Sequence, residues 1–266
     1  MVIVKSPREI DMIRTACRVV AEIHERLKEH VKPGVTTGDL DRLSEEWTVE
    51  LGCTPAFKGY RGYQHTLCIS VNEVVVHGIP SAKRVLQDGD IVGLDMGVIY
   101  KGWYGDAART RGVGKISEQA QKLMQATEAS LMAGIAAVKP GGYIGDIGQA
   151  VQDVAEGAGF SVVRDFVGHG IGRKLHEDPQ IPNYGPAGRR DRLKVGMALA
   201  IEPMVNAGGP EVYISSDGWT ALTVDGSLSA HFEHSVAVTP EGVEILSLLD
   251  GGRMTEKPDR PVSASI

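Results

Sequence analysis

The chain of 266 residues carries one sequence pattern twice, at an offset of 107 residues. Residues 31–52 (VKPGVTTGDLDRLSEEWTVELG) align with residues 138–159 (VKPGGYIGDIGQAVQDVAEGAG), sharing VKPG, a later GD pair and a closing glycine. The same offset relates Asp95, in the apolar run IVGLDMGV, to Glu202, in MALAIEPMV. A buried carboxylate is costly unless it is paired, hydrogen-bonded or bound to a metal. Two of them at matching places predict a fold of two similar halves with one shared site.

Charge, cysteine content and hydropathy exclude several classes of protein. The net charge of -6 gives no reason to expect direct binding to nucleic acid or to a membrane surface. Three cysteines are too few and too odd in number for a disulfide framework, which favours a reducing cytoplasm. No apolar run approaches the ~18 residues of a membrane span, and the N-terminus lacks the apolar core of a signal peptide. We therefore expect a globular cytoplasmic protein.

Each half opens with two helices separated by the KPG turn. Ser6 is followed by Pro7 and Glu9, which is the pattern of an N-cap, a first-turn proline and a capping box. Apolar residues then recur at helical spacing. The predicted helices run from Ser6 to about His30, from Thr37 to Leu51, from Ser117 through Val138 and from about Asp146 to Ala158.

Antiparallel strands follow the helices in each half. The predicted strands are a hairpin or strand pair in TLCISVNEVVVHGI, a hairpin of Ile91–Val98 and Trp103–Arg109, a strand Ala198–Val205, an inserted hairpin around the type I′ dipeptide Asp217-Gly218, and the strands Ser229–Val238 and Val243–Leu248. Helices combined with antiparallel strands predict an α+β fold rather than a Rossmann-type sheet. We expect one domain over residues 1–250, built from repeats of about 5–112 and 113–250, and a polar, disordered tail over 251–266.

Four carboxylates and one histidine form the candidate metal site. A tight hairpin with an even-numbered loop places Asp95 and Asp106 on one face of the sheet, where they repel unless a proton or cation lies between them. Glu233 occupies the corresponding place in the second half and pairs with Glu202, while His169, in FVGHGIG, is the nitrogen ligand. Such a set suits two hard or borderline divalent ions, such as Mn, Fe, Co or Zn, as in two-metal hydrolases and aminopeptidases.

The motifs around these residues resemble those of the type I methionine aminopeptidases, in metallopeptidase family M24. They are NEVVVHGIP, GLDMG, YGDAAR, GHGIGRKLHEDP, AIEPM and HFEHS, in order between residues 4 and 249. The resemblance implies the pita-bread fold, in which two pseudo-symmetric αβ halves surround a strongly curved antiparallel sheet. It further implies a monomer that removes the initiator methionine from nascent chains whose second residue is small. Docking on the ribosome stays open.

The resemblance also implies a role for each site residue. Asp95 would hold one metal through both oxygens, and Asp106 and Glu233 would bridge the two metals. His169 and Glu202 would hold the second metal, with Glu202 also moving a proton to the leaving amine.

Substrate contacts follow from the same resemblance. His77 and His176 would contact the substrate near the scissile bond, with His176 stabilising the oxyanion. The methionine pocket would consist of Phe57, Tyr60, Tyr63, Cys68 and Trp219, since sulfur and aromatic groups suit a thioether. Asn72, Val74 and Ser229 would hold a monovalent cation. The pocket departs from the family pattern, because Phe57 stands where a second cysteine is common and Leu175 replaces a common phenylalanine.

Other interpretations of the same residues stay open. A relative that cuts next to proline, such as aminopeptidase P or prolidase, uses the same fold, but it carries an extra N-terminal domain. A non-catalytic pita-bread protein that binds RNA or proteins would not need the ligand set. Singly, Cys68 is equally explained as core, and His77 and His176 as structural histidines. His231 would lie behind the ligands or face solvent.

Overall fold

The computed structural model describes residues 2–249 and 252–253, and every predicted helix is present in it. The helices are α1 (Pro7–Lys28), α2 (Thr37–Glu50), α3 (Glu118–Ala136) and α4 (Ile144–Gly157). Ser6 caps α1 through the capping box with Glu9, as its sequence predicts, and Ser117 accepts the Ala120 N–H at the start of α3. None of these helices is long and apolar enough to cross a bilayer.

The strands are short except for one central hairpin, and all their pairings are antiparallel. In chain order they are β1 (Thr54–Pro55), β2 (Leu67–Val71), β3 (Val74–Val76), β4 (Ile91–Tyr100), β5 (Trp103–Gly112), β6 (Ser161–Val162), β7 (Gly168–Gly170), β8 (Glu177–Ile181), β9 (Ala198–Ile201), β10 (Met204–Asn206), β11 (Val212–Ile214), β12 (Ala221–Thr223), β13 (Ser229–His231), β14 (His234–Thr239), β15 (Gly242–Ile245) and β16 (Gly252–Arg253). The described strands form a sheet of β1, β2, β4 and β5, a second of six strands from β8 to β16, and two small sheets, β13-β10-β6 and β11-β12-β3. Four helices with antiparallel sheets confirm the α+β fold. Beyond β16, the predicted tail lies outside the described residues.

The central hairpin of β4 and β5 turns where the sequence predicts. Its two loop residues, Lys101 and Gly102, both have positive φ (48° and 78°), which is the backbone of a type I′ turn. Asp95 pairs with Ala108 and Gly97 with Asp106. Because the loop holds two residues, Asp95 and Asp106 point to the same face of the sheet.

The sequence repeat is also a repeat in hydrogen bonding. An isolated β-bridge joins Thr36 to Val85 in the first half, and a second joins Tyr143 to Arg192 at the same offset. Both bridges anchor the segment between VKPG and its following helix. At the same offset, two glycine N–H groups bond to leucine carbonyls: Gly34 to Leu86 at 2.9 Å and Gly141 to Leu193 at 2.8 Å.

Each half has its own hydrophobic core, and a third cluster joins them. The first core packs α1 and α2 against β2, β4 and β5, and the second packs α3 and α4 against β9, β10 and β14. The joining cluster includes Ile13 and Cys17 of α1, Trp103 of β5, Ile171 and Ala198. The two halves therefore meet along the central hairpin.

Two strand predictions need correction. The predicted strand 198–205 is broken at Glu202 and Pro203, since β9 and β10 belong to different sheets. Pro203 has no N–H to donate to a ladder, which explains the break. The predicted strand 229–238 is likewise interrupted between β13 and β14, at residues 232–233. Glu202 and Glu233 therefore lie at corners between strands.

One open alternative is resolved, and one turn needs correction. The segment TLCISVNEVVVHGI, predicted as a hairpin or a pair of strands, forms the pair of strands, because β2 pairs with β4 and β3 pairs with β12. The dipeptide Asp217-Gly218 does not form a type I′ turn, since only Gly218 has positive φ (78°). The Gly218 N–H donates to the Ser215 carbonyl at 3.0 Å. The loop is longer than two residues, and Asp217 stabilises it by accepting from the Trp219 and Thr220 N–H groups.

Candidate metal centre

One cavity of about 170 Å³ lies between the two halves and collects the predicted site. Its lining includes every predicted metal ligand, both predicted substrate histidines and all the predicted pocket residues: Asp95, Asp106, His169, Glu202, Glu233, His77, His176, Phe57, Tyr60, Tyr63, Cys68 and Trp219. Leu175 and Arg61 complete it. Residues from about position 57 to position 233 thus converge on one space.

The first half supplies two carboxylates from neighbouring strands. Asp95 and Asp106 face the cavity from β4 and β5, and Asp106 is almost fully buried. One oxygen of each, Asp95 Oδ1 and Asp106 Oδ1, has no hydrogen-bond partner among the described residues. Buried polar atoms are rarely left without a partner, so these two oxygens point to a missing cation or proton.

His169 is oriented by its own main chain. Its Nδ1 lies 2.9 Å from the Gly170 carbonyl, which can only accept, so Nδ1 carries the proton. The lone pair of Nε2 therefore faces the carboxylates, 3.5 Å from Glu202 Oε1 and 3.9 Å from Asp106 Oδ2. Fixing the tautomer through the other ring nitrogen is how metal-ligating histidines are commonly held.

Glu233 completes the cluster from the corner between β13 and β14. Ligand atoms of Asp106, His169 and Glu233 lie within 4.8 Å of one another, and all three residues are buried. Glu233 Oε1 is a third buried oxygen with no partner among residues 2–249. The donor set of carboxylates and one imidazole suits a divalent cation of hard or borderline character.

Burial and mutual repulsion raise the pKa values of the four carboxyl groups. Burial raises the pKa of Asp95 to about 7. The pKa of Asp106 is well above its ordinary value, first because of burial and then because of the charge of Glu233. Burial, followed by nearby carboxylates, also raises the pKa values of Glu202 and Glu233. Without a cation, these four groups cannot all be ionised at neutral pH.

The strand with Asp106 is bonded to the corner with Glu233. The Glu233 N–H donates to the Ala108 carbonyl at 2.9 Å, and Ser235 Oγ donates to the Asp106 carbonyl at 2.8 Å. Arg109 reaches across to the Glu233 carbonyl and to the His234 ring. These bonds fix the relative positions of two proposed ligands from different halves.

Two histidines border the cavity outside the carboxylate cluster. Tyr60 Oη lies 2.9 Å from His176 Nδ1, and the His176 ring lies 4.3 Å from the His169 ring. His77 has a positive φ (60°) and stands edge-on to Trp219 at 6.4 Å. Burial lowers the pKa of His77 to about 4 and also lowers that of His176, so both rings are neutral at pH 7.

The other end of the cavity is apolar. Phe57, Tyr63, Cys68 and Leu175 are buried together, and Trp219 packs on Tyr63 with ring centroids 5.0 Å apart. Tyr63 Oη is satisfied by the Leu67 carbonyl at 2.8 Å, so the pocket presents ring and sulfur surface. An unbranched thioether side chain matches such a lining.

Two further residues border the site. His231 takes the first of its two predicted places, behind the ligands: it is buried, and its Nε2 lies 3.8 Å from Glu202 Oε2 with no hydrogen-bond partner within the described chain. Arg61 lines the cavity but was not predicted. Its neighbours Gly59 and Gly62 were a signal for a close turn there, although not for the direction of the side chain.

The residues predicted to hold a monovalent cation lie outside the cavity. The Ser229 N–H bonds to the Asn72 carbonyl at 2.8 Å, and Val74 begins the nearby β3. The Asn72 side chain is held by Asp90 and by the Ile91 N–H. These contacts bring Asn72 and Ser229 together, and the monovalent cation stays a prediction.

Comparison with known proteins agrees with this geometry. The sequence profile of metallopeptidase family M24 matches residues 11–240. The chain is 51% identical over 247 residues to methionine aminopeptidase 1 of Bacillus subtilis (strain 168), covering 93% of this chain and 99% of that protein. The crystal structure of methionine aminopeptidase from Thermotoga maritima superposes with a TM-score of 0.92 at 47% identity, covering 93% of this chain and all of that one. Prolidase from Pyrococcus furiosus shares the fold alone, with a TM-score of 0.73 at 24% identity over 92% of this chain and 65% of its own.

Proposed function

We propose that this chain removes N-terminal methionine from nascent polypeptides whose second residue is small. The chain belongs to metallopeptidase family M24 and, within it, to the methionine aminopeptidases. The observation that carries the proposal is one cavity with a carboxylate–histidine cluster at one end and an apolar, sulfur-containing pocket at the other. Such a cavity can hold a methionine side chain while its carbonyl lies beside the cluster.

The proposed cofactor is a pair of divalent ions held by Asp95, Asp106, His169, Glu202 and Glu233. The fit rests on three unpartnered buried carboxylate oxygens and on the neutral imidazole lone pair aimed at them. When bound, such ions polarise a carbonyl and supply a nucleophilic hydroxide at neutral pH. Co, Mn, Fe and Zn all suit these donors. A monovalent cation at Asn72, Val74 and Ser229 belongs to the same proposal.

The protein's own residues provide binding, orientation and proton transfer. The apolar pocket excludes water around the methionine side chain and orients the scissile carbonyl. His176, held by Tyr60 at Nδ1, has Nε2 free to face the oxygen of that carbonyl. His77 borders the same space from the Trp219 side. Glu202, whose pKa is raised by burial, can take up a proton and deliver it to the leaving amine.

The test is peptide cleavage by metal-loaded protein. We expect release of methionine from Met-Ala-Ser and at least about tenfold slower release from Met-Leu-Ser. Asp106→Asn, which keeps the side-chain shape, should lower kcat at least about a hundredfold, because it removes a proposed ligand. Equal rates on both peptides would contradict the specificity, and an unaffected Asp106→Asn variant would contradict the assignment of the site.

The same assay separates the alternative functions. Faster cleavage of an Xaa-Pro peptide than of Met-Ala-Ser would favour the prolidase-like activity. Absence of any metal-dependent cleavage would favour a non-catalytic binding protein. The proposal places the protein in the cytoplasm as a monomer acting on chain ends that emerge from the ribosome, and three cysteines, too few and too odd in number for a disulfide framework, favour that compartment.

A further inference from the structure

A second groove of about 560 Å³ adjoins the metal cavity. The two spaces share three lining residues: Arg61, His169 and His176. Under the proposed function, the scissile bond lies beside His176, so the peptide after that bond must leave the cavity past this residue. An extended chain advances about 3.3–3.6 Å per residue. The third to fifth residues of a substrate can therefore lie in the groove.

The groove carries an excess of positive charge. Arg61, Arg173 and Lys174 line it with exposed side chains, and none of them forms an ion pair with a described residue. Of its two carboxylates, Glu177 is already neutralised by the buried Lys5, whose Nζ lies 2.8 Å from Glu177 Oε2, and Asp178 counts one negative charge against the three positive ones. A wall with this charge attracts anionic side chains.

Arg61 is held in place by an unfavourable backbone. Its φ of 49° lies in the left-handed region, between Gly59 and Gly62, whose φ values are 90° and 91°. A glycine would adopt this conformation at no steric cost, so the presence of an arginine here indicates that its side chain has a function. Its guanidinium lies 5.4 Å over the Tyr60 ring, and Tyr60 is bonded to His176. Arg61 is therefore fixed at the junction of the two spaces.

We propose that Arg61, together with Arg173 and Lys174, forms a subsite that selects substrates with an acidic side chain at the third, fourth or fifth residue. This inference rests on the proposed function and names a preference that the methionine pocket cannot provide. The Arg173 guanidinium stacks on Trp103, 4.1 Å from the ring centroid, and this contact holds its positive charge at the groove. The subsite is exposed to solvent, so its effect depends on ionic strength.

The test compares peptide amides that differ by one side chain. Metal-loaded protein is given Met-Ala-Xaa-Gly-Gly-amide with Glu, Gln or Lys as Xaa, and the Xaa residue is then moved to the fourth and fifth positions. At low salt we expect kcat/KM for Glu to exceed that for Gln by about two- to fivefold at one or more positions, with Lys lowest. The Glu and Gln peptides should differ in KM, because the contact forms in the ground state. The Glu-to-Gln ratio of kcat/KM should fall towards one in 0.5 M NaCl.

Variants decide whether Arg61 is responsible. Arg61→Gln and Arg61→Gly should both bring the Glu-to-Gln ratio close to one, and the glycine variant relieves the backbone strain, so misfolding cannot explain its result. Lys139→Gln, an exposed lysine that lines neither space, should keep the wild-type ratio. Equal cleavage of the Glu and Gln peptides by wild type, or an unchanged ratio in both Arg61 variants, overturns the subsite while leaving methionine removal intact. Equal cleavage combined with Arg61-dependent inhibition by RNA overturns it in favour of a nucleic-acid contact. Failure to cleave any peptide refutes the proposed function itself, and the subsite with it.

Discussion

At the scale of single residues, the site depends on ionisable groups kept in their less usual states. Asp106 and Glu233 are buried with an oxygen that has no partner in the described chain, and burial raises the pKa of each. His169 shows the opposite effect, since burial lowers its pKa to about 3 and keeps the ring neutral. Neutral imidazole and carboxylate are the forms that bind metal ions. The folded chain therefore provides the histidine ready to bind, whereas its carboxyl groups must release protons.

His24 leads to a prediction about acid stability. It is buried on α1 with Nε2 3.0 Å from the Ala107 carbonyl, and burial, followed by the charge of Arg109, lowers its pKa to about 3. The unfolded chain binds this proton near pH 6.5, so the stability contributed by neutral His24 is lost as pH falls from about 6.5 towards 3. His24→Gln, which can still donate to Ala107, should weaken the fall in unfolding free energy between pH 7 and pH 4, by up to about 3 kcal/mol.

Urea unfolding of the metal-free protein across this pH range measures the effect. The comparison uses the slope of the unfolding free energy against pH. A loss of stability that the substitution causes equally at every pH does not change this slope. Parallel curves for wild type and His24→Gln would contradict the prediction.

At the scale of secondary-structure elements, α1 sets the position of β5 and hence of Asp106. A Cβ on Gly105 would lie 2.4 Å from the Cys17 nitrogen and 2.6 Å from the Ala16 carbonyl carbon, both in the α1 backbone. Gly105→Ala should therefore push the helix from the strand and destabilise the protein by about 1–3 kcal/mol. Because Asp106 is the next residue, the affinity for a divalent ion should also fall.

Gly157→Ala is the matched control for this substitution. Gly157 ends α4, and a Cβ there would meet nothing within 4 Å. The control should be neutral or stabilising by up to about 1 kcal/mol. Chemical unfolding and metal titration of both variants provide the comparison, and equal midpoints for Gly105→Ala and wild type would show that the close approach is not limiting.

The elements also show how far sequence reasoning reaches. The β4–β5 hairpin was predictable, because strand alternation and a two-residue loop determine which face Asp95 and Asp106 share. The breaks beside Glu202 and Glu233 were not: the first is flanked by apolar residues that give the period of a continuous buried strand, and the second lies in a segment without glycine or proline to mark a turn. Pro203 was the local signal for the first break. The side-chain direction of Arg61 lacked any signal, since the cavity that it shares with His176 depends on contacts between segments more than 100 residues apart.

At the scale of the whole molecule, the proposed metal ligands come from both halves. Asp95 and Asp106 precede α3, whereas His169, Glu202 and Glu233 follow α4. A bound ion therefore links the halves, and an ion that binds only the folded protein stabilises it by about 2.7 kcal/mol at a concentration of 100 times its Kd. Removing the ion leaves mutually repelling carboxylates at the junction of the halves, so loss of metal should lower the stability of the entire fold.

The last prediction uses this repulsion. Asp106 has a folded pKa raised by burial and by Glu233, so its protonated form stabilises the folded state at low pH, and that stability is lost as pH rises through the folded pKa. In the presence of a chelator at pH 8, Asp106→Asn should be more stable than wild type and its stability should depend less on pH between 7 and 9. With excess Mn or Co the order should reverse, because the variant has lost a ligand. Urea unfolding under the four conditions measures both differences, and a chelated variant no more stable than chelated wild type would show that repulsion between the halves is already relieved without a metal.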